Sequence, residues 1–299
     1  MKTFIIGASG SIGWALFNFF QKKKIKVIGT YNKNYRKKLH KFKISSSLSK
    51  LSNNISPDDV FLLLAAETNV NWVRKNPKKS FKINSYQTIK LIKKISKFGS
   101  KIIYFSSAEI FDGKRGYYKE SNFGNPVNIY GKTKNEVENF LLKSKKINYK
   151  IVRTGRNVNM SLKYPCMIQD TYNTLLKPKA KMATDNLFTI TYVNDFSKGI
   201  FKLIKYKGPE KIYHICSNEV ISRTNFADMI IKNSIYGNLM KYKAVKFKNI
   251  AYKEQRAAKN NLCSKSTIKK LKINFKKPET IVKLKVKLLD KLNEEYTAK

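Results

Sequence analysis

The chain has 299 residues, with 62 Lys and Arg against 19 Asp and Glu, a formal net charge of +43 and 42% hydrophobic residues. That is enough apolar material for one large α/β core, or for a main domain with a smaller part built onto it. No apolar run approaches the roughly 20 residues of a membrane helix. The three cysteines (Cys166, Cys216 and Cys263) lack metal spacing, and two histidines leave little scope for His-based chemistry, so no metal is expected.

Thr3–Ile6 reads as a short strand, residues 7–13 as a glycine loop, and residues 11–23 as a helix through Ile12, Ala15, Leu16, Phe19 and Phe20. So direct a start leaves no room for a secretory signal, and with reduced cysteines it predicts a cytoplasmic protein with no membrane partner. A second strand is expected at 26–29, and an apolar strand buried on both faces at 60–64. A helix over 84–97, a strand at 101–105, a helix over 128–142 and a strand at 150–153 complete a βαβ rhythm. The rhythm predicts an α/β fold, a Rossmann-type doubly wound parallel sheet with its ligand at the carboxyl ends of the strands. Ser9, Ala65, Ser107 and Thr154 follow such ends.

Past residue 155 the rhythm fades. Residues 157–181 read as irregular, with Pro165 and Pro178. Helices are expected over 192–204 and 225–234, and a Lys-rich helical tail over 271–299. The expected organisation is an NAD(P)-binding domain over 1–155 that carries the catalytic residues. Residues 156–299 form a small C-terminal, mostly substrate-binding part, interleaved with the first and not independently folded.

The basic charge is 55 Lys and only 7 Arg. Lys pairs run along the whole chain, whereas a nucleic-acid groove would cluster Arg with aromatics. The charge therefore reads as solvated surface, with no nucleic-acid partner, although a small polyanionic substrate gains from the field.

The loop Gly7-Ala8-Ser9-Gly10-Ser11-Ile12-Gly13 follows a strand and opens a helix. Gly7 and Gly10 admit a pyrophosphate, Gly13 allows close helix packing, and the helix N-terminus favours the phosphate charge. The second strand ends at Tyr31 and Asn32 without the acid that an NAD ribose usually meets. Lys33, Arg36 and Lys37 follow instead, which favours a 2′-phosphate and hence NADPH, with NADH as the alternative. Ala65 and Ala66 leave space on the adenosine side. Tyr130 and Lys134, four apart, share one helix face. A neighbouring ammonium is expected to pull the Tyr130 pKa down, so that Tyr130 exchanges a proton with a carbonyl or hydroxyl oxygen.

With these motifs the chain resembles the extended short-chain dehydrogenase/reductases. The resemblance covers nearly the whole length through Gly7-x-x-Gly10-x-x-Gly13, Ala65-Ala66, Asn84, the segment Phe105 to Gly113, and Tyr130-x-x-x-Lys134. Ile110-Phe111-Asp112-Gly113, Asn125 to Lys134, Thr191 to Asp195, Arg256-Ala257 and Asn260 to Leu262 are most similar to the dTDP-4-dehydrorhamnose reductase branch. The resemblance implies an NADPH-dependent reductase of a 4-keto sugar nucleotide in surface polysaccharide synthesis, with a homodimer as a common state. Tyr130 would be the acid, Lys134 would bind the nicotinamide ribose, Ser107 would hydrogen-bond the reacting oxygen, and Asn84 would support the network. Glu109, Arg153, Tyr192 and Arg256 are the expected substrate contacts.

Ala108 departs from the branch, which places Asp there. Glu109 stands where 4,6-dehydratases carry a Glu. An epimerase or dehydratase with bound NAD is therefore the alternative, and a non-catalytic regulatory or binding member of the fold is a further one.

Overall fold

The computed structural model describes residues 1–252 and 254–297. Its centre is built from short strands: β1 (Thr3–Ile6), β2 (Val27–Tyr31), β3 (His40–Lys41), β4 (Val60–Leu63), β5 (Lys101–Phe105) and β6 (Tyr149–Arg153). Together with the strand Ile212–His214 they form one parallel sheet, in the order Ile212–His214, β6, β5, β4, β1, β2, β3. The chain steps outward from β1 to β3, then returns to begin the other half at β4. That reversal opens a crevice beyond the carboxyl ends of β1 and β4, the place where doubly wound sheets bind ligands.

Strand alternation sends side chains to two covered faces. Ile5, Leu62, Ile103 and Val152 pack with Leu16, Phe17 and Phe20 of α1 (Ser11–Lys22) and with Phe196, Ile200 and Leu203 of the helix Val193–Lys205. Phe4, Ile6, Phe61 and Tyr104 face the other way, onto the helices Gln87–Ser96 and Ile129–Leu142.

The later part of the chain builds its own core around Ile168, Tyr172, Phe188, Phe226, Ile230, Ile281 and Val286. It also supplies the strand Ile212–His214 and the helix Val193–Lys205 to the main sheet. The region read as irregular contains a helix, Met167–Leu175, flanked by Pro165 and Pro178. The start of the 84–97 helix is a π-helical turn, Lys82–Tyr86, which puts Asn84 and Ser85 against the helix Ile129–Leu142.

Candidate active site

The glycine loop joins β1 to α1 over the crevice. Gly7 has φ +98°, and a Cβ there would lie 2.7 Å from the Ala65 nitrogen. Ala65 in turn donates to the Ile6 carbonyl at 2.8 Å, so β1 and β4 deliver Gly7 and Ala65 to one spot. A Cβ on Gly10 would meet only the Gly7 oxygen, at 3.6 Å. Gly10 is also the N-cap of α1 and gives no side-chain cap, so the first amides of α1 are free for an anion. Ser9, Ser11 and Ile12 complete the loop, and Gly13 lies against the Gly7 carbonyl. Tyr31 ends β2 with Tyr35 edge-on at 5.4 Å, Asn32 is exposed, and Arg36 lies over the Trp14 ring at 4.7 Å.

On the other side of the crevice, Ser107 follows β5 and accepts a hydrogen bond from the Glu109 amide at 3.2 Å. Asn128 caps the helix Ile129–Leu142 by accepting from the Gly131 amide at 2.8 Å. This sets Tyr130 on the first turn, facing Ser107. A Cβ on Gly131 would sit 2.0 Å from the Glu109 carbonyl oxygen, so only glycine lets the helix approach this closely. Tyr130, Ser107, Glu109 and Arg156 line a cavity of about 310 Å³.

The electrostatics of Tyr130 differ from the sequence expectation. Its pKa is raised, first by burial and then by the Glu109 charge, and only the Ser107 hydrogen bond works against this. Lys134 does not lower it. The Lys134 ammonium turns to the Phe105 carbonyl at 2.9 Å and lies 5.9 Å from the Tyr130 ring centroid. Burial pushes its own pKa down to about 8. A phenol beside a hydroxyl and an open cavity is placed to exchange a proton with a bound oxygen.

Glu109 is held on both oxygens, by the amide of Asn128 at 2.8 Å and that of Asn260 at 2.9 Å. Beyond it three of the seven arginines converge. Burial lowers the pKa of Arg156, with Arg256 adding to the effect and Glu109 opposing it. Arg223 is pushed down to about 10, by burial and then by the Arg156 charge. The Arg156 and Arg223 guanidinium groups lie 5.6 and 5.5 Å from the Phe188 ring centroid, and that of Arg256 lies 5.1 Å from Tyr252. The buried Nε atoms of Arg156 and Arg256 have no hydrogen-bond partner among the described residues.

The family model described as RmlD substrate binding domain matches residues 1–290. The chain belongs to this family. A spore coat polysaccharide biosynthesis protein, SpsK, of Bacillus subtilis is 24% identical over 238 residues, 78% of this chain and 79% of that one. The methionine adenosyltransferase 2 subunit beta of Bos taurus is 30% identical over 145 residues, 48% of this chain. The match spans only 43% of that relative's length. Among solved structures, a dTDP-4-dehydrorhamnose reductase of Bacillus anthracis in complex with NADP superposes with a TM-score of 0.73 at 22% identity, covering 94% of this chain and 98% of that one. The fold is that of the short-chain dehydrogenase/reductase enzymes, as the motifs of this RmlD-family chain predict.

Three expected site residues are placed elsewhere. Arg153 is 1% exposed and serves the interior. Its Nη2 meets Glu138 at 2.7 Å, and its Nη1 donates to the carbonyls of Glu120 and Asn122. Four of the five donors of this fork are thus spent inside the protein. Asn84 is 1% exposed and bonds the Glu67 backbone in both directions at 2.8 and 2.9 Å, so it braces the loop after β4. Tyr192 lies outside the cavity wall, and its hydroxyl accepts from Asn194 at 2.7 Å. Arg156 and Asn260 also line the cavity, although neither was chosen as an expected site residue. The scarcity of Arg was a usable signal for the first, and the family-like stretch from Asn260 to Leu262 for the second. His214 is fully buried, with its pKa pushed down to about 3 by burial.

Proposed function

We propose that this RmlD-family chain is an NADPH-dependent reductase of a 4-keto sugar nucleotide, serving surface polysaccharide precursor synthesis. The observation that carries the reading is one cavity with Tyr130 and Ser107 at one end and Arg156 at the other, where Arg223 and Arg256 stand near Arg156 but outside the cavity wall. The first end suits a carbonyl that becomes a hydroxyl, and the second suits a diphosphate, which guanidinium forks bind bidentately. Two similar proteins, a dTDP-4-dehydrorhamnose reductase in complex with NADP and a spore coat polysaccharide biosynthesis protein, support the same class.

The glycine loop fits a dinucleotide. Gly10 leaves space where a Cβ would stand, and the uncapped amides of α1 are donors for a pyrophosphate. Lys134 has ammonium donors to spare for the nicotinamide ribose after its bond to Phe105. When bound, the cofactor supplies the hydride. Tyr130 delivers the proton to the C4 oxygen. Ser107 bonds the same oxygen and fixes its position. Glu109, held by two asparagines, is an acceptor for sugar hydroxyls, and Arg256 with Arg156 clamps the diphosphate.

The presence of Glu109 in the cavity favours one second reading, an epimerase or dehydratase that keeps NAD bound. The test is a set of 4-keto sugar nucleotides with NADPH or NADH, followed by loss of reduced-cofactor absorbance. The reductase reading predicts stoichiometric NADPH consumption with at least one keto sugar. It predicts a kcat for Tyr130→Phe lower by about 10²- to 10⁴-fold, the usual weight of a general acid. Isomerised or dehydrated product without net NADPH loss would transfer the assignment to Glu109 chemistry.

A further inference from the structure

The segment 159–164 crosses from the later part of the chain onto the glycine loop. Asn159 donates from Nδ2 to the Ser11 carbonyl at 3.2 Å, and the Tyr164 hydroxyl donates to the Ser9 carbonyl at 3.1 Å. From the opposite side the buried Lys285 ammonium holds the same segment, donating to the Met160 and Ser161 carbonyls at 3.4 and 3.1 Å. This strap therefore spans two carbonyls of the phosphate-binding loop.

Its tip makes a second contact. The Arg36 guanidinium lies 4.7 Å from the Trp14 ring centroid and 4.9 Å from that of Tyr164. Trp14 belongs to α1, Arg36 follows β2, and Tyr164 belongs to the strap. Two aromatic rings thus occupy the neighbourhood of one planar cation. Stacking uses the face of a guanidinium and leaves its N–H donors pointing outward in the plane. Among the described residues those donors make no hydrogen bond or ion pair. An arginine held by aromatic contacts with its donors unspent is prepared for an anion that arrives at its edge. Such pre-organisation also lowers the side-chain entropy cost of binding.

We propose that Tyr164 is a specificity-determining residue for the cofactor: it clasps Arg36 against Trp14 and so fixes the fork that receives the ribose 2′-phosphate. The inference rests on the dinucleotide reading above. It adds that cofactor choice is set by a residue about 130 positions from the β2 end, on a strap from the other part of the chain. The hydroxyl of Tyr164 serves the strap, while its ring serves the arginine.

The two roles separate by calorimetric titration of NADP⁺ and NAD⁺ into wild type and variants, with thermal melts confirming that each is folded. Tyr164→Ala is expected to lose NADP⁺ affinity by about fivefold, the weight of one partly exposed cation–π contact, and to hold NAD⁺ within about twofold. Tyr164→Leu, which keeps bulk without a π face, is expected to behave like Tyr164→Ala. Tyr164→Phe keeps the ring and is expected to retain the wild-type ratio. Arg36→Ala is expected to abolish the preference. Equal loss for both cofactors in Tyr164→Ala, or no loss, overturns the proposal, as does a wild type that binds NAD⁺ without preferring NADP⁺. A wild type that binds neither dinucleotide sinks the functional reading itself.

Discussion

The Lys134 ammonium is 3% exposed beneath the end of β5, with the Phe105 carbonyl 2.9 Å away. Burial lowers its pKa from 10.5 to about 8. The sign follows from linkage. Between about pH 8 and 10.5 the unfolded chain holds this proton and the folded chain does not, so this group makes stability rise with pH across that window. Below pH 8 the charged, buried form is a standing cost of about 3 kcal/mol. We predict that Lys134→Met is more stable than wild type at pH 7, by about 2 kcal/mol after loss of the Phe105 hydrogen bond. The gain should fade as pH rises to 10.5, the ordinary lysine value. Urea unfolding of both proteins at several pH values measures this, and a less stable variant at pH 7 would contradict it. Activity is expected to vanish in the same variant, since Lys134 is a proposed cofactor contact. At this scale the grouping of Ser107, Tyr130 and Lys134 was legible, but the direction of the Tyr130 shift was not. A spacing of four places two side chains on one face. It does not say that the ammonium turns to Phe105, or that Glu109 stands nearer in charge.

The helix Ile129–Leu142 reaches its position through one missing methyl group. Replacing a helical glycine with alanine ordinarily stabilises by about 1 kcal/mol. At Gly131 the new Cβ would be 2.0 Å from the Glu109 oxygen, a backbone atom that cannot step aside alone. Overpacking of this kind costs about 3 kcal/mol and outweighs the propensity gain. Gly131→Ala is therefore expected to lower the melting temperature and, by pushing Tyr130 away from Ser107, to reduce kcat more than it raises KM. A variant with unchanged stability would show that the contact is looser than described. The alternation of strand and helix in the first half was readable because each run carries its own period. Two elements were not. β3 has two exposed residues and no alternation to detect. Met167–Leu175 has helical spacing in Ile168, Thr171, Tyr172 and Leu175, but the prolines on each side read as breakers. The pairing of Ile212–His214 with β6 is long-range and leaves no local mark in the chain.

Across the whole molecule, a net charge of +43 repels itself in the folded state. Salt screens that repulsion, with a Debye length near 10 Å at about 0.1 M. The melting temperature is expected to rise between about 0.05 and 0.5 M NaCl, while the KM for a diphosphate substrate rises with it. A flat melting temperature over that range would mean that the charges are already compensated. The pooling of Arg156, Arg223 and Arg256 from three distant stretches was the part of the site least visible in the chain, because convergence is set by the later core around Phe188. All of this bears on one claim, that Tyr130 and its cavity reduce a sugar carbonyl with a cofactor hydride. The most direct measurement uses NADPH deuterated at the transferred position with a 4-keto sugar nucleotide, and mass spectrometry of the sugar product. The account predicts one deuterium at C4 with wild type and almost none with Tyr130→Phe in the same time. Product formed without deuterium at C4 would contradict it.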